Sequence, residues 1–457
     1  MRSQNNKKYE IDMCSGKIVG KMLMFALPLM ISSILQLLFN AADIIVVGRF
    51  AGDNSLAAVG STSSLVNMLT NVFLGLSVGA NVMVARYIGA GRDDETSATV
   101  HTAVTLALIS GLILTIIGGL GARRILTWMG SPDEVIGLST LYLRIFFLGM
   151  IPNMLYNFGA AILRSVGDTR RPLYYLFAAG IINVILNLIF VIVFKMDVAG
   201  VALATIISQT ISAVLVVRCL ILEKRAIRLD IHKLGIDKNI CRDILKIGLP
   251  SGFQGLLFSM SNVIIQASVN SFGATVIAAN SAAANIEGFV WVSMNAFHQA
   301  AITFTGQNYG AGKLKRVPLV MRDALICVIV TGVVLGRTVY FFGIPLMGLY
   351  TTSAEVASLG LERIKWVCGM YALCGMMDVM VGVLRGVGYS VLPMIVSLVG
   401  ACGLRLLWIF TLFQTETFHK PMYLYVTYPV SWAVTFIMHV ICFVIVWKKI
   451  KATHNME

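Results

Sequence analysis

The sequence contains few charged residues. Charged side chains occupy 13% of its 457 positions, whereas a soluble domain has about 25%. Hydrophobic residues make up 57% and fall in long continuous runs. The low charge content argues against a soluble domain, and continuous runs argue against the alternating segments of a membrane β-barrel. The sequence therefore predicts a polytopic α-helical membrane protein.

Motifs for metal binding, disulfides and catalysis are also missing. The eight cysteines lack CxxC spacing and the six histidines are isolated, so neither a zinc site nor a disulfide framework is predicted. Residues 306–313 resemble a degraded phosphate loop, but Leu314 follows Lys313 where a working loop needs Ser or Thr. We interpret 310–313 and 89–92 as helix ends with left-handed glycines. No enzyme activity and no cofactor are expected.

Apolar runs long enough to cross a membrane dominate the chain, since each crossing helix needs about 20 apolar residues. The predicted spans are 22–48, 57–86, 98–121, 138–161, 172–194, 199–221, 244–271, 277–303, 319–342, 359–383, 392–413 and 424–447. The longest polar stretch between spans, 222–242, is predicted to be a cytoplasmic linker. It separates an N-lobe (1–221) from a C-lobe (243–457), each with six transmembrane helices.

The second half of the chain repeats the first at a displacement of 221 residues. Leu163–Gly167 returns as Leu384–Gly388, and Gly89–Arg92 returns as Gly310–Lys313. An even number of spans before the linker makes the two repeats parallel. A duplicated membrane bundle of this kind favours a transporter with a cavity between two similar lobes.

Basic residues concentrate on the side of the membrane that both termini share. Examples are Arg2, Lys7, Lys8, Lys17 and Lys21 on the N-terminal tail, Lys224, Arg225, Arg228, Lys233 and Arg242 on the linker, and Arg164, Arg385, Lys448 and Lys449 later. This asymmetry predicts a multi-pass protein of the cell (inner or plasma) membrane with both termini cytoplasmic. Basic loops beside anionic membrane lipids explain the net charge of +14. Nucleic acid is not an expected partner, and a monomer is expected.

Four polar residues lie at similar depths inside the first-half spans. At 1.5 Å per residue, Asp43 lies about 9 Å below the outer face, and Asn187 and Thr205 lie about 12 Å below it. Asn183 and Asn187 share one helix face because they are four residues apart. The second-half counterparts are all apolar in character: Ile265, Leu404, Trp408 and Val426. This concerted difference predicts a single cation-coupling site, with Asp43 as the metal ligand if Na⁺ is the ion. The alternative for the three uncharged residues is hydrogen bonding between helices.

Further polar residues inside the spans are candidates for a substrate cavity. They are Gln36, Asn67, Asn157, Gln254, Gln266, Glu287, His298 and Asp378. Glu287 and Asp378 could equally pair with Arg385 or bond a backbone carbonyl. The charged candidates inside the spans are mainly acidic, with Arg144 and Arg405 as exceptions, which favours a cationic small-molecule substrate.

Several segments resemble the multidrug and toxic compound extrusion (MATE) family. They are FALPLMISSILQLLFNAADIIVVGRFAG, YIGAGR, LRSVGDTRRP, NVILNLIF and GVALATIISQ in the first half, and LRGVGYSVLP and YGAGK in the second. The resemblance implies twelve helices in two lobes, around a cavity that opens alternately to either side. It also implies export driven by inward movement of Na⁺ or H⁺. The family's first-lobe cation site maps onto Asp43, Asn183, Asn187 and Thr205.

The chain departs from the family pattern at two places. Many relatives carry a second carboxylate where this chain has Asn187, and some carry an acidic residue on the seventh helix, where residues 254–260 have none. The coupling ion therefore stays open between Na⁺ and H⁺. The predicted function is cation-coupled antiport that exports organic, cationic amphiphilic molecules. The alternatives are a lipid-linked precursor flippase of the same superfamily and, from another class, a passive channel or a membrane-embedded enzyme.

Overall fold

The computed structural model describes residues 9–129 and 131–454, and within these ranges the chain is helical and contains no strand. The first half contains α1 (Ile18–Phe50), α2 (Asp53–Gly89), α3 (Asp93–Trp128), α4 (Asp133–Leu148), α5 (Met150–Ser165), α6 (Arg170–Leu188) and α7 (Asp197–Leu222). The second half contains α8 (Lys238–Asn270), α9 (Ala274–Gly310), α10 (Val317–Phe341), α11 (Gly343–Met347), α12 (Ala354–Trp366), α13 (Tyr371–Gly386), α14 (Val391–Ser397), α15 (Leu404–Phe410) and α16 (Pro421–Thr453). The tail residues Arg2, Lys7 and Lys8 lie outside the described ranges.

These helices confirm the predicted fold class. Among the described residues, nine helices are long and apolar enough to cross a membrane, or ten if α4 and α5 form one span that is bent by 48°. The two remaining predicted spans correspond to α8 and α9, which have 33 and 37 residues. Both are long enough to cross the membrane but more polar than the others. The twelve-helix arrangement of the MATE fold fits this set.

Several predicted spans are interrupted. The span predicted at 138–161 breaks at Gly149 between α4 and α5. A π-helical turn, Ile189–Val193, follows α6, and another, Leu398–Gly403, separates α14 from α15. Hydropathy does not register these breaks, because they change the hydrogen-bonding pattern and leave the residues apolar.

The duplication is visible in the backbone at equivalent glycines of the two halves. Gly52 and Gly273, which precede α2 and α9, have φ values of 90° and 89°. The two glycines at the predicted helix ends, Gly91 and Gly312, both have φ of 66°, so that prediction is confirmed. Since only glycine adopts positive φ without steric cost, the repeat preserves the turns between the helices.

The described chain divides into two compact units. Unit 1 contains the residues up to Asp12 together with Ile31–Gly252, and unit 2 contains Met13–Met30 and Phe253–Glu457. Two of the three divisions along the chain fall inside long helices, α1 and α8. The lobes at 1–221 and 243–457 and the linker between them stay a prediction.

A buried ionic cluster closes one end of unit 1. Asp168 accepts hydrogen bonds of 3.1 Å from the backbone amides of Arg170 and Arg171, at the start of α6. The Arg171 guanidinium forms ion pairs with Asp168 and, at 3.0 Å, with Glu223. Burial raises the pKa of Asp168, and the neighbouring Arg171 opposes that shift. The LRSVGDTRRP segment therefore anchors α6 to the end of α7.

Helices α2 and α8 pack with their backbones in contact inside unit 1. A Cβ atom added to Gly75 would lie 2.3 Å from the backbone nitrogen of Gly252 and 2.6 Å from the carbonyl oxygen of Gly248. No side chain fits between them. Small residues allow the two helices to approach this closely. Inside a bilayer, van der Waals packing stabilises such a contact, because lipid removes the hydrophobic driving force between helices.

We expect Gly75→Ala to destabilise the protein by about 1–3 kcal/mol, because two backbones would have to separate to admit a methyl group. The thermal unfolding midpoint of the detergent-purified protein measures this effect. Gly60→Ala is the matched control on the same helix, since a Cβ there would meet no atom within 4 Å. Equal midpoints for the two variants would contradict the close α2–α8 packing.

Candidate functional site

Three of the four predicted cation-site residues meet inside unit 1. Asn187 on α6 donates a hydrogen bond from Nδ2 to the Oδ1 atom of Asp43 on α1. The same Nδ2 lies 3.3 Å from Oδ1 of Asn183, one turn earlier. Asn187 is fully buried, and its own Oδ1 atom has no hydrogen-bond partner in the described part of the chain. The cluster thus presents a carboxylate and amide oxygens to one place.

Close packing of α1 against α6 brings these residues together. A Cβ atom at Gly180 would lie 1.8 Å from the Phe39 ring, so only glycine permits this approach. Gly180, Asn183 and Asn187 follow the spacing of one helix face, and Phe39 and Asp43 are four residues apart on the other helix. The apolar contact and the polar contact therefore lie on the same α1–α6 interface.

Thr205, the fourth predicted member, is not joined to the others by a hydrogen bond in the described structure. Its hydroxyl donates to the carbonyl of Val201, 2.9 Å away on its own helix α7. Such a bond is common for threonine in helices. The assignment of Thr205 to the site stays a prediction.

Tyr142 on α4 belongs near this group, although the sequence analysis did not identify it. Its phenol interacts electrostatically with Asp43. Its ring stacks on Phe146 with 5.7 Å between ring centroids. A tyrosine in an apolar span carries little signal, because such residues are common in membrane helices. Only the packing of α4 shows that it lies close to the carboxylate.

The backbone that follows Asn187 is irregular. The π-helical turn Ile189–Val193 begins two residues after Asn187. Lys195 and Asp197, which follow it, have positive φ values of 52° and 56°, a conformation that costs energy in residues other than glycine. Turns of the π type and strained residues recur at functional sites, which supports a functional role for this end of α6.

Unit 2 contains an extended polar network around Glu287. The Oε2 atom of Glu287 on α9 lies 2.6 Å from Nη2 of Arg363 on α12, and Oε1 accepts a 3.3 Å hydrogen bond from Tyr371. Arg363 also donates to Asn280 at 2.7 Å, and Asn280 donates to Gln266 at 3.0 Å. Glu287 and Gln266 are predicted from the sequence, whereas Arg363, the cation that joins them, is not.

A second group in unit 2 surrounds Asp378. Nδ1 of His298 lies 2.6 Å from the backbone carbonyl oxygen of Asp378, so Nδ1 carries the hydrogen of this bond. Arg385 donates to Gln254 at 2.7 Å and interacts electrostatically with Asp378. Arg385, which the sequence counts among the basic residues of the cytoplasmic side, is buried in the last turn of α13. Its partners on α8 and α13 hold it there.

The remaining cavity candidates are not joined to these groups. Gln36 and Asn67 are exposed on unit 1. Asn157 donates to the carbonyl oxygen of Asn153 at 2.9 Å and to its side chain at 2.8 Å, both within α5. Their role in a substrate cavity stays a prediction.

The expectation that the buried charges are mainly acidic has to be corrected. Arg363, Arg385 and Arg405 are all buried inside unit 2, whereas Arg144 is exposed. Unit 2 thus contains more buried arginines than the one, Arg405, that was predicted inside its spans, because Arg363 was not identified and Arg385 was counted with the cytoplasmic side.

We expect Arg363→Gln to lower stability by about 3–5 kcal/mol, since it leaves the Glu287 carboxylate buried without its cation. The double variant Glu287→Gln/Arg363→Gln should lose less than the two single effects together. Thermal unfolding of the four proteins in a double-mutant cycle measures this coupling. Arg92→Gln, which removes an exposed ion pair with Glu95, is the control and should change little. Additive effects at 287 and 363 would refute the pair.

Known proteins resemble this chain over nearly its whole length. A family model described as MatE matches residues 28–189 and again residues 250–411. The chain is 28% identical to the probable multidrug resistance protein YoeA of Bacillus subtilis over 445 residues, covering 95% of this chain and 96% of that protein. It is 24% identical to an FAD transporter of Shewanella oneidensis over 348 residues, covering 74% and 76%.

Solved structures share the fold. An outward-facing multidrug resistance MATE family transporter of the MOP superfamily superposes with a TM-score of 0.88 at 22% identity, covering 96% of this chain and 98% of that one. A MOP superfamily transporter from Pyrococcus furiosus gives a TM-score of 0.89 at 21% identity, again covering 96% and 98%. Because the family model matches most of both halves and the fold agrees, this chain belongs to the MatE family, the multidrug and toxic compound extrusion transporters.

Proposed function

We propose that the protein is a cation-coupled antiporter that exports organic, cationic amphiphilic molecules by alternating access. One observation carries the proposal. Asp43 lies within a helix long and apolar enough to span the membrane and makes no ion pair with a Lys, Arg or His in the described chain, while the buried Asn187 bonds both Asp43 and Asn183. A carboxylate in such a place is costly, and its usual role is to bind an ion or a proton.

The cluster is chemically suited to either coupling ion. Hard oxygen ligands suit a small cation, and Asp43, Asn183 and Asn187 supply carboxylate and amide oxygens, with the unpartnered Oδ1 of Asn187 among them. A proton needs only the carboxylate. In both cases the ion neutralises the one negative charge of the group.

Competition for this charge gives the transport cycle. In the outward-open state Na⁺ or H⁺ reaches Asp43, weakens the binding of a cationic substrate and favours its release. In the inward-open state the substrate binds from the cytoplasm or the inner leaflet. Each ligand drives the change only through its different affinity for the two states.

The remaining expectations on cellular setting belong to the same proposal. We propose a monomer in the cell membrane, in contact with membrane lipids and with both termini cytoplasmic. The positive-inside distribution of basic residues supports this orientation. Small-molecule substrates agree with the names of the multidrug relatives.

We expect Asp43→Asn to abolish coupled efflux while the protein stays folded, because the amide keeps the shape of the side chain and cannot take up a charge or a proton. Efflux of a fluorescent organic cation from proteoliposomes, with thermal unfolding as the folding test, measures this. Asp133→Asn is the control, since Asp133 is exposed at the start of α4. Near-normal coupled transport by Asp43→Asn would sink the proposal.

A Na⁺ gradient and a pH gradient, imposed separately on wild-type proteoliposomes, will identify the coupling ion. One gradient should drive accumulation of the cation against its own gradient. Asn187→Leu should then raise the half-saturating Na⁺ concentration if Na⁺ is the driver, because one oxygen ligand is lost. Equilibration without accumulation under both gradients would indicate a passive channel, and chemical change of the cargo would indicate an enzyme.

A further inference from the structure

Arg405 on α15 is a buried cation without a counter-ion in the described part of unit 2. Only 4% of its surface is exposed. Its Nε atom donates a 2.8 Å hydrogen bond to the Ser431 hydroxyl on α16. Its Nη2 atom is buried and has no hydrogen-bond partner among the described residues. A guanidinium in this setting carries a large desolvation cost that partners normally offset.

Two carboxylates inside the spans of unit 2, Glu287 and Asp378, interact with other arginines. The Arg405 guanidinium lies 4.2 Å from the Tyr428 ring centroid, and Arg363 lies 5.5 Å from the centroid of the same ring. Glu287 pairs with Arg363, and Asp378 interacts electrostatically with Arg385. The guanidinium groups of Arg363 and Arg405 thus both lie near the Tyr428 ring, but the Glu287 carboxylate pairs only with Arg363. The surplus charge at Arg405 favours an anion as the missing partner.

A second buried donor lies one turn away on the same helix. The indole Nε1 of Trp408 is buried and has no acceptor in the described structure. Residues 405 and 408 are three positions apart and therefore share a face of α15. An indole N–H can only donate, so this group requires the same kind of partner as Nη2 of Arg405.

In the first half of the chain, the residues equivalent to Arg405 and Trp408 lie in a group of opposite polarity. Arg405 and Trp408 correspond to Val184 and Asn187 of the first half. Around Asn187 the side chains offer oxygen atoms and a carboxylate, whereas around Trp408 they offer N–H donors and a guanidinium. The two repeats therefore present a cation-binding and an anion-binding character at equivalent helices.

The helices around Arg405 are irregular, as they are around Asn187. The π-helical turn Leu398–Gly403 ends two residues before Arg405. Pro429 lies inside α16 between Tyr428 and Ser431, where it removes a backbone hydrogen bond. Irregular turns of this kind give a helix a place to adjust when a ligand binds.

We infer that Arg405 and Trp408 bind the carboxylate of an organic ligand, with the Tyr428 and Trp432 rings contacting its apolar part. Trp432 lies 5.7 Å from the Arg405 guanidinium and belongs to the same aromatic group. Binding of the carboxylate is independent of the proposed export function; transport of this ligand would rest on it.

Binding of benzoate to the full chain in lipid nanodiscs, followed by calorimetry, tests the inference. Benzamide is the matched uncharged probe. We expect saturable benzoate binding that is at least tenfold tighter than benzamide binding. Arg405→Gln should reduce benzoate affinity at least tenfold and leave benzamide unchanged, while Arg405→Lys should retain part of it. Arg337→Gln, at an exposed position of α10, is the control and should bind as wild type.

Trp408→Phe keeps the test valid if Arg405→Gln fails to fold, because it removes only the N–H donor and keeps an aromatic ring. It should weaken benzoate binding and spare benzamide. Equal affinity for the two probes, or wild-type benzoate binding by folded Arg405→Gln, would overturn the inference. So would saturable chloride binding without benzoate binding, which indicates an inorganic anion. Failure of the benzoate test leaves the coupling proposal untouched, because efflux by Asp43→Asn tests that proposal separately, and the reverse also holds.

Discussion

A charge inside an apolar helix bundle has to be matched, because the surrounding groups solvate it poorly. This constraint explains most of the polar contacts in the protein. Arg171 joins Asp168 and Glu223 in unit 1, and Arg363 joins Glu287, Asn280 and the neighbouring tyrosines in unit 2. These matched groups fix helices to each other. Asp43 and Arg405, which make no ion pair in the described chain, are the charges for which we propose ligands.

Close helix packing determines the positions of the Asp43 and Arg405 side chains. The Gly180–Phe39 contact sets α1 against α6, so that the Asp43 carboxylate meets Asn187. In unit 2, a Cβ atom at Gly400 would lie 2.3 Å from the hydroxyl oxygen of Thr435, which places the π-helical turn directly against α16. Small residues at both interfaces let the helix backbones approach, and the polar groups follow from that geometry.

The sequence predicted the helical class, the duplicated halves and the grouping of Asp43 with Asn183 and Asn187. These rest on signals that a sequence carries directly: continuous apolar runs, repeated turn glycines and spacing along one helix face. It did not predict the Arg363–Glu287 pair, whose members are 76 residues apart and whose repeat counterparts carry no matching charges. It also did not predict the break at Gly149 or the π-helical turns, because apolar residues continue through each of them.

The polar character of α8 and α9 has a consequence for biogenesis. These helices carry Gln254, Gln266, Asn280 and Glu287, and they are the two predicted spans that fall below the apolarity of the others. During synthesis Glu287 leaves the ribosome 76 residues before Arg363, a delay of about 4–15 s at about 5–20 residues per second. Over that interval α9 holds a carboxylate without its cation. The Glu287–Arg363 ion pair, and the link between α9 and α12 that it provides, can therefore form only after α12 has been synthesised.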